Sequence, residues 1–538
     1  MRSQKQKMDL SIAITEWQTV LGPSQVVLGD AVSQAYGADT SGCHRRVPAA
    51  LRIIDCKTVP AVMQVAQRHR VPVYPISTGN NWGYGTALPV QHDCVIVDLS
   101  ALNKITHFDS EFGVVTVEPG VTQGMLADFL DAGNHPYLVP VTGAGPSCSL
   151  IGNALERGYG VTPHVDHFGA VTDIEAVLAD GSLYRSALRE AGGEELARLF
   201  KWGIGPYCTG LFTQGGFGIV TRMSIILARR PDCIKVCLFS LKDDTLLEPA
   251  VMRIRSIVCR LAGTVGAINL MNQHRVLSMA APFPFDKLGS DGMIPAAVLD
   301  EMGKKYQVFA WTGFGTLYGT KRVVAAAQKE IRVTLGDIAK RMMFVSPQRA
   351  HLLARLTRFV PGQIGKGLQG MTATLSKSLE LVAGRPNETA MPLAYWRNRR
   401  PQIGTPKNPA QDGCGLIWYA PLIPMRSTDL RAYVNMVTEI MLKHGLEPLI
   451  TFTTLNDRLF DSTVPLIFER DDPHAAAAAA ACYKDLFFSG RARGWFPYRF
   501  GVDTMGTFMG LQSDAREFQS RLRKDLDPHN VMSPGRYR

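Results

Sequence analysis

The sequence predicts an α+β protein in which one domain is assembled from both ends of the chain and a second α+β domain is inserted between them. Helical and strand-like segments alternate from about residue 15 to 230, and the texture changes at Pro231-Asp232. After residue 490 a loop-like stretch, GRARGWFPYRFG, leads to a last helix and then DPHNVMSPGRYR. At 538 residues the chain exceeds what one hydrophobic core organises. The expected boundaries are 1–230 for the first part, 231–490 for the insertion and 491–538 for the return.

Each element follows from its pattern. Residues 57–70 are apolar at 59, 62, 65 and 66, the spacing of an amphipathic helix. VPVYPIS, CVIVDL and GVVTVEPG are short strands, the last ending in a Pro-Gly turn. VTQGMLADFLDAG is a helix with a glycine stop, and 171–185 is a hairpin with Asp-Gly at its turn. IVTRMSIILARR closes the first part. In the insertion, KVCLFSL, LIWYAPLIPM, PLITFTTL and TVPLIFER read as strands, and LEPAVMRIRSIVCRLAG and TDLRAYVNMVTEIMLKHG as helices. The seven alanines inside 473–493 favour helix and carry no chemistry.

Composition excludes several classes. With 46% apolar and 20% charged residues the chain is an ordinary folded protein. Its net charge of +11 is scattered, without a basic stripe interleaved with aromatics, so no nucleic-acid partner is expected. The ten cysteines fall in no metal-ligand spacing, so no metal is expected and reduced thiols in the cytoplasm are. The charged start MRSQKQKMDL has no apolar stretch behind it, so no signal peptide is expected. No run of 18 apolar residues suits a membrane span.

Three glycine-rich stretches carry the chemistry. Ser77-Thr78-Gly79-Asn80-Asn81-Trp82-Gly83-Tyr84-Gly85 follows a strand, and its small residues let successive N–H groups converge on an anion. Its spacing is neither a P-loop nor GxGxxG. Thr142-Gly143-Ala144-Gly145 leads into Ile151-Gly152-Asn153-Ala154-Leu155-Glu156-Arg157-Gly158, and Gln214-Gly215-Gly216-Phe217-Gly218 opens the last strand. Together they suit close backbone approach to one large, phosphorylated, planar ligand.

The segments PISTGNNWGYG, VVTVEPGVT, GNALERGYGVTPHVDH, GPYCTGLFTQGGFGIVT, GWFPYR and LDPHNVMSPGR, in this order, resemble the flavoprotein family of vanillyl-alcohol oxidase and p-cresol methylhydroxylase. The likeness covers about residues 50–230 and 490–538 well and the middle poorly. It implies a two-part FAD-binding domain with an inserted cap, and an FAD-linked oxidase or dehydrogenase of a phenolic or other aromatic substrate. A hydroxy acid, sugar or secondary-metabolite intermediate is the alternative substrate, and a flavin-fold binding subunit without turnover is the alternative class. For the cofactor, the resemblance implies that Ser77, Thr78, Gly79, Asn80, Asn81 and Gly83 cradle the FAD pyrophosphate. Gly143, Gly152, Asn153, Arg157 and Gly158 line the flavin's other side, and Ile219 and Val220 meet the adenine end. Arg157 reads equally as an ion-pair partner of Glu156.

For the substrate, the resemblance assigns Tyr84, Tyr498 and Arg499 to a phenolate oxygen, with Arg499 as the sole full positive charge. Two O–H donors and a guanidinium in a dry pocket favour the anion of a bound phenol. The sequence departs from the family in two ways. The aspartate that follows a Val-Pro pair in the family's oxidase is missing from Val139-Pro140-Val141-Thr142, and His164 stands where a tyrosine often faces the pocket, as a candidate acid or base. No histidine occurs near Phe460-Asp461-Ser462 or in the first glycine loop, and Cys148 is shifted from the usual cysteine position. Non-covalent FAD is therefore expected, with Tyr395 and Tyr419 as the unaligned alternatives for attachment. Oxygen or an electron-transfer protein is the expected acceptor, and a homodimer the expected assembly.

Overall fold

A computed structural model describes residues 2–359, 362–400, 405–509 and 514–537. The first part of the chain forms two sheets. One places Val26–Leu28, Ala49–Arg52, Val95–Asp98 and Val73–Ile76 side by side, with the last two pairings parallel. Every residue of Val95–Asp98 is buried, as a parallel strand covered on both faces requires. The helix Val59–His69 covers one face with Val59, Val62, Met63, Val65 and Ala66, and ends at Arg70 in the left-handed region (φ 52). The helix Arg2–Leu21 lies against it, and Trp17 Nε1 donates to the Val62 carbonyl at 3.0 Å.

The second sheet is antiparallel in the order Ile105–Asp109, Val114–Val117, Ile219–Ile226, Val171–Val177 and Leu183–Arg185. The expected hairpin over 171–185 forms, with Gly181 at φ +87 in its turn. The three glycine stretches occupy the connections of these two sheets.

A nine-stranded antiparallel sheet runs between Cys233 and Pro497. Its core packs Ile254, Ile331, Val437 and Leu486 of four helices against Phe239, Leu270, Phe452 and Phe460 of its strands. The strand Trp311–Gly319 escaped the sequence pattern because glycines interrupt it. Gly313 is needed there: a Cβ would sit 2.0 Å from the Phe239 ring of the neighbouring strand.

The C-terminal return closes both parts. Phe496–Pro497 pairs with Pro421–Leu422 at the edge of the large sheet. Val531–Ser533 then lies beside Val73, which donates to the Val531 carbonyl at 2.8 Å and accepts from Ser533 N–H at 2.9 Å. Asp527, buried, fixes this turn by accepting from the N–H groups of Val531 (2.9 Å) and Met532 (2.8 Å). Asp527→Ala removes two charge-assisted bonds, and a loss of about 2–4 kcal/mol is expected. A fall in thermal unfolding temperature, which Asp527→Asn partly restores, checks this.

Candidate active site

The three glycine stretches wall one cavity of about 440 Å³, which continues to residues of the large sheet. Ser77, Thr78, Gly79, Asn80, Asn81, Gly143, Gly152, Asn153, Gly158, Ile219 and Val220 all line it, and so do Tyr84, Tyr498 and Arg499. The first two stretches meet tightly. A Cβ on Gly152 would lie 2.4 Å from Ser77 Oγ, and Asn80 Nδ2 donates to Ser147 O (3.2 Å) and Oγ (3.1 Å).

Three expected site residues lie elsewhere. Gly83, read as part of the phosphate cradle, faces the large sheet: its N–H donates to Thr40 Oγ1 at 2.8 Å, and a Cβ would be 2.2 Å from Trp418 Cδ1. Arg157 is exposed, has φ +55, and sets its guanidinium on Thr213 Oγ1 (3.1 and 3.3 Å). It neither lines the cavity nor pairs with Glu156. His164 is also off the wall, and burial lowers its pKa. Next in that loop, His167 is fully enclosed, contacts Asn153 Oδ1, and is pushed down to about 3 by burial, which keeps it neutral.

The cavity suits FAD on the chain's own terms. The N–H groups of Thr78, Gly79 and Asn80 donate to no protein acceptor among the described residues, and Gly79 holds φ +68. Such a run of free donors at a loop is an anion nest, matched to a pyrophosphate. Trp82 Nε1 is likewise buried without a partner in the same wall.

At the other end, the pocket is assembled by the C-terminal return. Tyr498 N–H donates to the Ala420 carbonyl (3.2 Å), Gln214 Nε2 donates to the Tyr498 carbonyl (3.0 Å), and Val502 N–H donates to the Tyr84 carbonyl (2.9 Å). These bonds bring Tyr84 and Tyr498 together. Neither hydroxyl has a protein partner among the described residues. Burial raises both phenols above their ordinary range, so both stay protonated donors.

Arg499 is not the sole charge here. Its guanidinium carbon lies 4.2 Å from the Tyr84 ring centre, Nη2 donates to Asn81 Oδ1, and Nε sits 3.3 Å from Glu156 Oε2 without an aligned hydrogen bond. Arg536 Nη2 pairs with the other Glu156 oxygen. Two guanidiniums thus share one carboxylate, leaving a net positive end to the cavity.

Sequence reasoning missed four further groups. Tyr159 supplies the pocket tyrosine in place of His164, its ring 5.3 Å from that of Tyr498 at 72°. Arg536 stands in a segment that was recognised, without a role. Arg275 lines the cavity from the insertion and announces itself by no motif. Asp461, 4% exposed on the strand Leu459–Glu469, lies two residues from the cavity-lining Thr463 on the same strand face. Its Oδ1 has no hydrogen-bond partner, and burial lifts its carboxyl to about 7. A buried, unpartnered carboxyl thus lies on the strand that supplies Thr463 to the cavity wall.

Fold and site together define an FAD-dependent enzyme. The FAD binding domain family matches residues 49–187. Over 530 residues the chain is 31% identical to a 1'-carboxy-chondrochloren decarboxylase of Chondromyces crocatus, covering 98% of this chain and 97% of that protein. Over 492 residues it is 27% identical to the 4-cresol dehydrogenase [hydroxylating] flavoprotein subunit of Pseudomonas putida, covering 91% and 87%. A crystal structure of p-cresol methylhydroxylase with substrate bound matches its fold with a TM-score of 0.86 and 24% identity, covering 98% of this chain and 96% of that one. The chain belongs to the vanillyl-alcohol oxidase and p-cresol methylhydroxylase family of FAD-linked oxidoreductases. All ten of its cysteines are free, and among the described residues no helix is long and apolar enough to cross a membrane.

No histidine lines the cavity among the described residues. Tyr395 is bonded to Asp412, and Tyr419, fully buried, donates to the Leu486 carbonyl at 3.0 Å, so both are committed away from it. Cys148 does line it, with its pKa raised by burial, which keeps it a thiol and a poor nucleophile. Acid precipitation is therefore expected to release FAD into the supernatant. Flavin fluorescence retained on the polypeptide in a denaturing gel would contradict this, and Cys148 would be the first residue to map.

Proposed function

We propose that the protein oxidises a para-substituted phenol, bound as its phenolate by Tyr84, Tyr498 and Arg499. The observation that carries the reading is that pair of unpartnered tyrosine hydroxyls beside a guanidinium cluster of net positive charge, in one buried pocket. Tyr84 and Tyr498 donate to the phenolate oxygen, and the Arg499–Glu156–Arg536 cluster supplies the field that favours its charge. Tyr159 packs on Tyr498 and holds its ring. Bound FAD supplies the two-electron acceptor for the hydride that leaves the carbon attached to the ring. Asp461, near enough for its charge to act on both tyrosines, takes up a proton when ionised. Oxygen or an electron-transfer protein then receives the electrons, and the working unit is a homodimer.

A second reading, favoured by the likeness to a decarboxylase, extends the first. Loss of hydride leaves a quinone methide. If the next carbon carries a carboxylate, its C–CO₂ bond breaks, the electron pair forms a C=C bond, and the ring returns to a phenolate as CO₂ departs.

Arg499→Ala is expected to lower kcat/KM about 30- to 1,000-fold, the loss of one buried charge-assisted contact. Tyr498→Phe removes a neutral donor and is expected to cost about 5- to 30-fold. The absorbance of a bound, non-reacting phenol tests the assignment: its ionisation in the site shifts to higher pH in Arg499→Ala. A phenol that never binds as its anion, in either protein, overturns the reading.

The pH profile tests Asp461. A buried carboxyl with its pKa raised to about 7 is ionised, and able to accept a proton, only above that pH. Activity is expected to rise with pH through about 7, and Asp461→Asn to be slow and to lack that limb. The same shift means that Asp461 costs stability progressively as pH rises from its ordinary value of 3.8 to about 7, and the full cost is present above that. Asp461→Asn is therefore also expected to unfold at a higher temperature than the parent at pH 8, with a smaller gain at pH 5 and little difference at about pH 3.

A further inference from the structure

Arg275 is a cation in search of an anion. It sits on the helix Gln273–Ala280 of the insertion, is 9% exposed, and lines the cavity. Its only side-chain hydrogen bond among the described residues runs from Nε to Thr451 Oγ1 at 2.9 Å. Nη1 is buried without any partner, and no carboxylate of the described residues forms an ion pair with the group. Glu447, the acid paired with the preceding residue His274 (3.2 Å), also accepts from the Ile294 N–H (2.8 Å). Arg499 and Arg536, the other guanidiniums of the wall, share Glu156. Burial without a counter-charge lowers even the Arg275 pKa, to about 10. A buried charge of this kind is costly unless something pairs with it.

We propose that Arg275 binds a carboxylate on the side chain of the phenolic substrate, so that the substrate class is para-substituted phenols ending in an acid. The proposal rests on the phenolate reading of Tyr84, Tyr498 and Arg499, which claims the ring end of the substrate. Apolar Leu393, Leu416 and Trp418 belong to the same wall and suit the carbon chain. The pyrophosphate of FAD is already served by the neutral N–H groups of Thr78, Gly79 and Asn80, which leaves Arg275 without a role in holding it.

The test uses the FAD-loaded protein and a ligand pair that cannot react. (4-Hydroxyphenoxy)acetate and its amide have an oxygen where the oxidisable carbon would be, so calorimetric titration reads binding alone. The parent protein is expected to prefer the acid at least about tenfold. Arg275→Met is expected to abolish that preference while changing the affinity for the amide less than about threefold and retaining FAD. Arg275→Lys, which keeps the charge, is expected to preserve part of it. Equal binding of acid and amide by the parent protein overturns the proposal and leaves the phenolate reading standing. Loss of FAD, or equal weakening of both ligands, in Arg275→Met and Arg275→Lys identifies the group as a cofactor ligand or a packing residue, and overturns it too. If the parent protein binds neither ligand nor 4-ethylphenol, the phenolate reading falls and the proposal with it.

Discussion

The site depends on one carboxylate. Glu156, at the end of the short helix Leu150–Leu155, receives Arg499 from the turn that leaves the large sheet and Arg536 from the chain's last residues. One acidic side chain thereby joins the second glycine stretch to two points of the C-terminal return. The geometry also places charge. With two cations and one anion, the cluster is held together and still presents a positive face to the cavity. Buried ion clusters of this kind contribute little net stability, because desolvation offsets attraction. Their effect is to fix where charges lie. Here it is Arg499 that is fixed, stacked on Tyr84 and bonded to Asn81 of the first glycine stretch.

The two ends of the cavity use different means to hold charge. Around the glycine stretches the donors are backbone N–H groups, which carry partial charge, need no counter-ion and suit a cofactor that stays. The wall from the large sheet and the return carries Arg275, Tyr498 and Arg499, with the buried Asp461 on the strand that supplies Thr463. A fixed ligand is served by dipoles, and a substrate whose charge changes during reaction by ions. Under the proposed function, the groups that meet the substrate come from the insertion and the C-terminal return, and the anion nest from the first glycine stretch.

Much of this was legible in the sequence, for physical reasons that also mark the limit. Short-range patterns survive translation into structure. The apolar spacing at 59, 62, 65 and 66 became a buried helix face, and Asp180-Gly181 became the hairpin turn. The glycine runs announced a wall that a backbone can approach closely, and eleven of the thirteen residues that the family resemblance assigned to the cofactor do line the cavity, the exceptions being Gly83 and Arg157. Those two failed because a matched motif says that a loop is tight but not which side of each residue faces the ligand. Gly83 is tight against Trp418, a residue far along the chain, and Arg157 is turned outward by its left-handed backbone. Asp461 lies in a segment whose sequence is marked only by its lack of histidine, and Arg275 lies in no motif at all. Their meaning is long-range: a charge becomes informative when burial removes its solvent and no partner replaces it, which only the assembled walls reveal.

Under the proposed function, one pocket serves both oxidation and decarboxylation of a phenol. In the proposed reaction both begin with a ring held as its phenolate pushing electron density toward the side-chain carbon as hydride leaves, so both need Tyr84, Tyr498 and the guanidinium cluster. They part at the fate of the electron-poor intermediate. Simple phenols leave it to be trapped by water or by proton loss, and an acid on the neighbouring carbon provides an internal electron pair instead. The protein's influence over that choice lies in what it holds next to the reacting carbon, not in the redox step. Under the proposal, Arg275 fixes the carboxylate and with it the orientation of the bond that breaks, and the apolar Leu393, Leu416 and Trp418 of the same cavity limit the water that competes with that step. On this reading the outcome is decided in the insertion, by one unpaired arginine and its apolar surroundings, and the machinery for oxidation stays the same.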